Sequence, residues 1–206
     1  MSKNYISNKD ETVRMFENDF LEALSRIHWS VPLYVFIPII SFFIYISIVE
    51  YQLDGLNIIT LFISGIFVWT FTEYFLHRFV FHYEPKSKWG KKLHFIMHGV
   101  HHDYPKDSKR LVMPPSVSLP LATLFYFFFL LIIGNPLLNP FFAGFLTGYL
   151  IYDITHYAIH HFSIKSKFWL QIKNYHSKHH YMDENKGFGV SQPLWDYVFR
   201  TNFDSN

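Results

Sequence analysis

The 206-residue sequence has no cysteine. Disulfides, thiolate metal sites and cysteine nucleophiles are therefore excluded, and any metal must be held by nitrogen or oxygen. Charge is scarce as well, at 17% of residues against about 25% in ordinary globular chains. A net charge of +2 is too small for a nucleic-acid surface, and the aromatic residues sit in apolar runs rather than among basic ones, so no nucleic-acid partner is expected. The N-terminus lacks the apolar core and small-residue cleavage site of a secretory signal. No HExxH sequence is present, which removes the usual zinc-protease reading. In their place stand apolar residues, half of the chain, with 24 Phe and 14 Tyr. This composition points to lipid as part of the solvent.

Four apolar stretches are long enough to cross a hydrocarbon core of about 30 Å as helices rising 1.5 Å per residue. They run from Val31 to Val49, Leu56 to Leu76, Ser116 to Ile133 and Asn139 to Tyr157. Short turns, Glu50 to Gly55 and Gly134 to Leu138, join them into two hairpins, and the prolines at 32, 38, 120 and 140 are tolerated in such helices. The expected fold is all-α, a single domain over 1–206: four membrane helices capped by helical segments 77–115 and 158–206. All 18 Lys and Arg lie on the side of the termini and of the middle segment, while the turns carry only Glu50 and Asp54. The positive-inside rule then places both termini and the cap in the cytoplasm. In a bacterium the membrane would be the inner one; in a eukaryote it would be the endoplasmic reticulum. Before the first span, Val13, Phe16, Phe20, Leu24 and Ile27 recur at three- and four-residue steps. This spacing predicts an amphipathic helix over 11–27, lying on the membrane or packed on the cap.

Twelve of the 13 histidines fall between His77 and His180, eleven of them in the groups HRFVFH, HGVHH, HYAIHH and HSKHH at the cytosolic ends of the spans. Residues three and four apart share a helix face, while adjacent ones diverge by about 100°. His98, His101 and His102 can converge, as can His176, His179 and His180, and His156 with His160. His161 points elsewhere. A five-residue step does not align His77 and His82 on a regular helix, so one of them should lie past the helix end. The convergent set is His77, His82, His98, His101, His102, His156, His160, His176, His179 and His180. Ten imidazoles are too many for one metal and suit two with open positions. Ligand type alone leaves zinc, copper, iron and nickel open. His28 reads as an interfacial polar residue, and His94 as a surface or supporting residue.

Metal-bound imidazole usually donates its second N–H to a carboxylate or carbonyl. Glu73, one turn before His77, and Asp153, three residues before His156, are the candidates for that role because charge at membrane depth is costly. Asp103 and Asp196 read as helix caps or surface ion-pair partners.

The order HRFVFH, HGVHH, HYAIHH, HSKHH on four spans resembles the fatty acid hydroxylase superfamily of integral-membrane di-iron enzymes. KRLVMPP, YDITHYAIHH and HSKHHYMDENKGFGVSQPLWDYVFRT are similar to its fatty acid 2-hydroxylase branch. The resemblance runs from about Glu73 to Thr201. It implies an oxidoreductase of sphingolipid and other lipid metabolism, a monooxygenase with two iron ions on those ten histidines and O2 as co-substrate. Zinc is often found in purified members. Hydroxylation of an acyl chain at the 2-position is the expected reaction, on a free fatty acid or a ceramide-like lipid. Family members often carry a cytochrome b5 domain before the membrane part, and about 30 residues stand there in this sequence. A separate cytochrome b5- or ferredoxin-like electron donor is therefore expected. Eight basic residues from Arg78 to Arg110 could receive such a protein or anionic headgroups. Tyr74, Phe75 and Tyr157 are expected at the acyl entrance. Competing expectations are hydroxylation of a carotenoid or sterol, desaturation, or a metal carrier or sensor, which would need ligands along a path through the bilayer.

Overall fold

The computed structural model describes residues 5–203; the two chain ends, whose cytoplasmic placement the charge pattern predicts, lie outside the described residues. Those residues contain helices and no strands. The elements are α1 (Asp19–Leu24), α2 (Val31–Val49), α3 (Gly55–Leu76), α4 (Lys88–His94), α5 (Val100–Asp103), α6 (Pro115–Ile133), α7 (Leu138–His161), α8 (Lys167–Tyr181) and α9 (Leu194–Val198). Two single π-helical turns interrupt the series, His77–Phe81 after α3 and Phe95–Gly99 between α4 and α5.

Helix boundaries follow local chemistry. The Asp54 carboxylate caps α3 by accepting from Asn57 N at 3.0 Å, and the Ser87 hydroxyl caps α4 through Gly90 N at 3.0 Å. Proline occupies the first turn of α2 and of α6, where its missing N–H costs nothing. Gly134, at φ +73°, ends α6 in a conformation that disfavours a side chain.

Three helices are long and apolar enough to cross a membrane: Val31–Val49, Gly55–Phe81 and Pro115–Ile133. They turn Ile37, Phe42, Leu56, Ile63, Leu124 and Leu131 outward, the pattern of a surface bathed in lipid. The fourth expected span lies within α7, which is long enough but less apolar. Most of its side chains between Leu138 and Ile159 are buried because it stands against α2, α3 and α6, with Ile151 turned outward. A helix shielded from lipid by its neighbours can carry Asn139, Thr147, Asp153 and Thr155. Backbones meet most closely between α3 and α7. A Cβ on Gly65 would sit 2.0 Å from Phe141 O, and one on Gly144 would sit 1.9 Å from Phe62 O. Such small-residue contacts are how membrane helices gain van der Waals packing. Around this seam Phe36, Trp69, Phe145, Leu146 and Tyr149 form the core.

The N-terminal segment departs from expectation. Instead of an amphipathic helix over 11–27, the only helix there is the six-residue α1. Buried Glu22 is the cause: its carboxylate accepts from Met15 N and Phe16 N at 3.0 and 3.1 Å and pairs with Arg26 and Arg110. Those backbone N–H groups are thereby held out of a helix, and Asn18 caps the short one that follows. The segment crosses the cap as a strap. Ile6 N and Ser7 N donate to Asp103 O, Ser108 N donates to the Asp10 carboxylate, the Thr12 hydroxyl donates to Asp107, and Ile27 N donates to Lys109 O.

Candidate metal centre

The ends of α3 and α7, the α4–α5 segment and α8 bring ten imidazoles together in two groups. His77, His82, His98, His102 and His179 form one; His101, His156, His160, His176 and His180 form the other. Within each group the nitrogens lie within 4.8 Å of one another. These are the ten residues singled out from helix faces, now divided five and five.

The division follows from helix geometry. His98 and His102, four apart, enter the first group, while His101 swings to the second; His176 and His180 enter the second, while His179 swings to the first. His77 and His82 align through the π-helical turn, where His82 N donates to His77 O at 3.1 Å. Five-residue hydrogen bonding restores the shared face that a regular helix denies. His82 is also the residue that ends the turn, so the expected break at the helix end is a wider turn. The second π-helical turn separates His94 from His98 and spoils their four-residue register. His94 borders a surface depression with Glu84, Pro85, Lys86 and Lys91 instead. His161 stacks on Tyr157 with ring centres 4.4 Å apart, and His28 lies near the Ser30 hydroxyl and the Trp29 ring. None of the three joins either group.

In the first group Nε2 of His77 and His98 are 3.1 Å apart, His82 and His179 3.1 Å, His82 and His98 3.2 Å, and His98 and His102 3.0 Å. In the second, His176 Nε2 is 3.0 Å from Nε2 of His156, His160 and His180. His77 and His179 donate through Nδ1 to the carbonyls of Phe188 and Lys186, at 2.5 and 2.7 Å, so their Nε2 lone pairs face the centre. Lone pairs packed this closely repel unless a cation lies between them, and the donor set thus fits a bound metal. Metal–nitrogen bonds of about 2.1 Å give neighbouring nitrogens about 3.0 Å apart at right angles and about 3.4 Å in a tetrahedron. The observed spacing of 3.0–3.2 Å matches donors at right angles, so the five nitrogens of each group would hold a metal ion. Burial, reinforced by neighbouring imidazoles, pushes the His82 pKa down to about 3 and those of His98, His101, His102, His176 and His180 down as well. Burial also lowers His179 to about 4, against the opposing pull of the Lys186 carbonyl. The rings are kept neutral, the form that ligates metal.

Of the two expected carboxylate partners, Glu73 stands at one remove and Asp153 has other partners. Among the described residues no hydrogen bond joins Glu73 or Asp153 to an imidazole. Glu73 accepts from Val190 N, Ser191 N and the Ser191 hydroxyl at 2.5–2.8 Å. Asp153 accepts from Met113 N and the Tyr149 hydroxyl. Asp196 is no surface residue: it is wholly buried and accepts from Phe188 N, Gly189 N and the Thr201 hydroxyl, each at 2.8 Å. Glu73 and Asp196 together clamp loop 186–191, whose carbonyls orient His77 and His179. Sequence reasoning missed this loop because its backbone carbonyls leave no trace in residue identity; the Gly-rich GFGVSQPLWD run was the one signal. The Glu184 carboxylate lies 3.9 Å from His102 Nδ1.

A cavity of about 330 Å³ reaches both groups, bordered by His98, His101 and His156 and otherwise mainly apolar. Tyr74, Phe75 and Tyr157 do not border it. Tyr74 is buried and bonded to Thr201, Phe75 faces outward, and Tyr157 stacks between Trp29 and His161. The cavity is lined instead by residues of the strap, Met15, Phe16, Leu21 and Leu24 among them.

Residues 62–201 match the family model described as fatty acid hydroxylase. The chain is 39% identical over 192 residues to a dihydroceramide fatty acyl 2-hydroxylase of Arabidopsis thaliana, covering 93% of this chain and 80% of that protein. It is 37% identical over 213 residues to the fatty acid 2-hydroxylase of Rattus norvegicus, covering 92% of this chain and 56% of the relative. A solved structure described as full-length scs7p, with only the hydroxylase domain visible, superposes with a TM-score of 0.84 at 38% identity, over 92% of this chain and 71% of that one. With family model, relatives and architecture in agreement, the chain belongs to the fatty acid hydroxylase family of membrane enzymes.

Proposed function

We propose that this enzyme hydroxylates a lipid acyl chain at its 2-position, using two iron ions held by the two five-histidine groups. The observation that carries the reading is the convergence of ten imidazoles, three of which border a mainly apolar cavity. Bound iron would supply the activation of O2 that an unactivated C–H bond requires and no side chain offers. Overall, acyl chain, O2, two electrons and two protons give the 2-hydroxyacyl chain and water.

The protein's own part is placement. Loop 186–191 fixes two imidazoles through its carbonyls, and the neutral rings leave their lone pairs free. The cavity walls exclude water and seat the acyl end, while a volume of about 330 Å³, near the low end of ligand pockets, leaves the rest of a long chain in the bilayer. The segments 77–115 and 158–206 act as one catalytic cap on the membrane helices. The distribution of Lys and Arg supports a cytoplasmic cap, and a separate cytochrome b5- or ferredoxin-like protein would deliver electrons there.

Mass spectrometry of total lipids from cells with and without the expressed chain, grown under isotopically labelled O2, tests the reading. Labelled 2-hydroxyacyl lipids are expected with the wild-type chain and not with His156→Ala. A hydroxylated ring or a new double bond in their place would overturn it. Metal analysis of the purified chain should find two ions per molecule.

A further inference from the structure

The cavity has one polar wall whose hydrogen bonding is incomplete. Apart from histidines, its polar side chains include Ser25, Arg110, Ser116 and Asp153. Ser25 donates to Glu22 O, Ser116 to Leu24 O, and Asp153 accepts from Met113 N and Tyr149. Arg110 differs. Its side chain is only 2% exposed, and Nη2 donates to Glu22 at 2.5 Å. Nη1 and Nε are buried without a hydrogen-bond partner, Nε standing 3.7 Å from Asp107. A buried guanidinium with free N–H groups is costly until an acceptor arrives.

The acceptor that the reaction brings is the acyl carbonyl oxygen, one bond from the carbon to be oxidised. We propose that Arg110 holds that carbonyl and so determines which carbon of the chain is presented at His98, His101 and His156. This assignment rests on the acyl 2-hydroxylase reading above. Charge in the ion-pair group around Arg110 is balanced, Arg26 and Arg110 against Glu22 and Asp107, which suits a neutral carbonyl better than a carboxylate. The strap contributes indirectly: through Glu22 it fixes the guanidinium from the side away from the substrate.

The test compares full-length wild type, Arg110→Lys and Thr12→Ala in membranes. Lysine keeps a cation for Glu22 but lacks the planar fork of N–H donors, whereas Thr12→Ala loosens the strap at Asp107 without a direct contact to the guanidinium. Arg110→Lys should raise KM about tenfold, the loss of one charge-assisted hydrogen bond, and should spread hydroxylation to the 3-position. Thr12→Ala should keep the 2-position alone. Unchanged KM and position in Arg110→Lys, or the same spreading in Thr12→Ala, would overturn the proposal. Thermal stabilisation of the purified proteins by palmitamide, palmitate and hexadecane gives an answer independent of turnover. Palmitamide should protect wild type more than hexadecane does, and that difference should vanish in Arg110→Lys; a difference of equal size in both proteins refutes the contact. Palmitate protecting as well as palmitamide would show that a carboxylate is also accepted and would remove the charge-balance argument. Loss of 2-hydroxy products from wild type itself, with the carbonyl-dependent protection intact, would fault the assigned reaction and leave the Arg110 contact standing.

Discussion

The two histidine groups hold five imidazoles each but are built differently. The second group draws four of its five from α7 and α8, two long regular helices, and His176 and His180 keep buried Nδ1 atoms without protein partners. The first takes His77, His82 and His98 from or beside π-helical turns and leans on loop 186–191 for the orientation of His77 and His179. One group is held by helix rigidity, the other by a clamped loop. Stability of a metal position can thus come from secondary structure alone or from a network that reaches Asp196 and Glu73.

Removing a central ligand tests the comparison most severely. His98→Ala and His156→Ala should each lower activity more than about 100-fold, since ligand and supporting-residue losses in metal sites are commonly that large, and each should move metal content from two ions per chain towards one. Unchanged content in either variant would show that its group is not a ligand set. Asp196→Ala should act on the first group selectively, because it frees Phe188 N and Gly189 N while α7 and α8 stay intact. Metal affinity at one of the two positions should fall about 10- to 100-fold, seen as one weakened step in a chelator titration. Equal weakening of both steps would erase the distinction between loop-held and helix-held sites.

The strap gives a smaller effect with a defined sign. Burial raises the Glu22 carboxyl, but hydrogen bonds from Phe16 N and Met15 N and the nearby Arg110 outweigh it and leave its pKa below the ordinary 4.5. A depressed carboxyl stabilises the fold above pH 4.5 and loses that contribution as pH falls through the lower folded value. Hydrogen exchange at Met15 and Phe16 should therefore quicken only below pH 4.5 in wild type and be fast at every pH in Glu22→Ala. Smallest of all, His161→Ala should leave metal content unchanged, since its ring lies on Tyr157; metal loss equal to that of His160→Ala would undo the assignment of faces.

Much of this arrangement was legible beforehand because helical spacing is a geometric rule. The three- and four-residue steps at 98, 101 and 102, at 156 and 160, and at 176, 179 and 180 suffice to select those histidines, and long apolar runs suffice for α2, α3 and α6. What escaped depends on backbone and tertiary context. The π-helical turn that aligns His77 with His82 is an insertion within a helix, with no distinctive residue type to announce it. The strap's brief helix was masked by a good apolar periodicity, overridden by a single buried carboxylate. Glu73 and Asp196 were noticed as charges in costly places, yet their partners are amides over 100 positions away in one case and a few in the other, a matter of folding rather than spacing. Gly65 and Gly144 look like unremarkable small residues until their helices are seen to touch.

Adjacent histidines in two dipeptides are sent to opposite groups, His101 and His102 on α5 and His179 and His180 on α8, with ring centres 6.0 and 5.6 Å apart. Each pair ties the two positions through one peptide unit, whose Cα atoms are about 3.8 Å apart. The positions are therefore leaves of one hinge: ordering either set of ligands would partly order the other, so that a first bound ion would prepare the site of a second. The two affinities would then be linked, and by reciprocity a substitution that weakens one position should be felt, attenuated, at its neighbour.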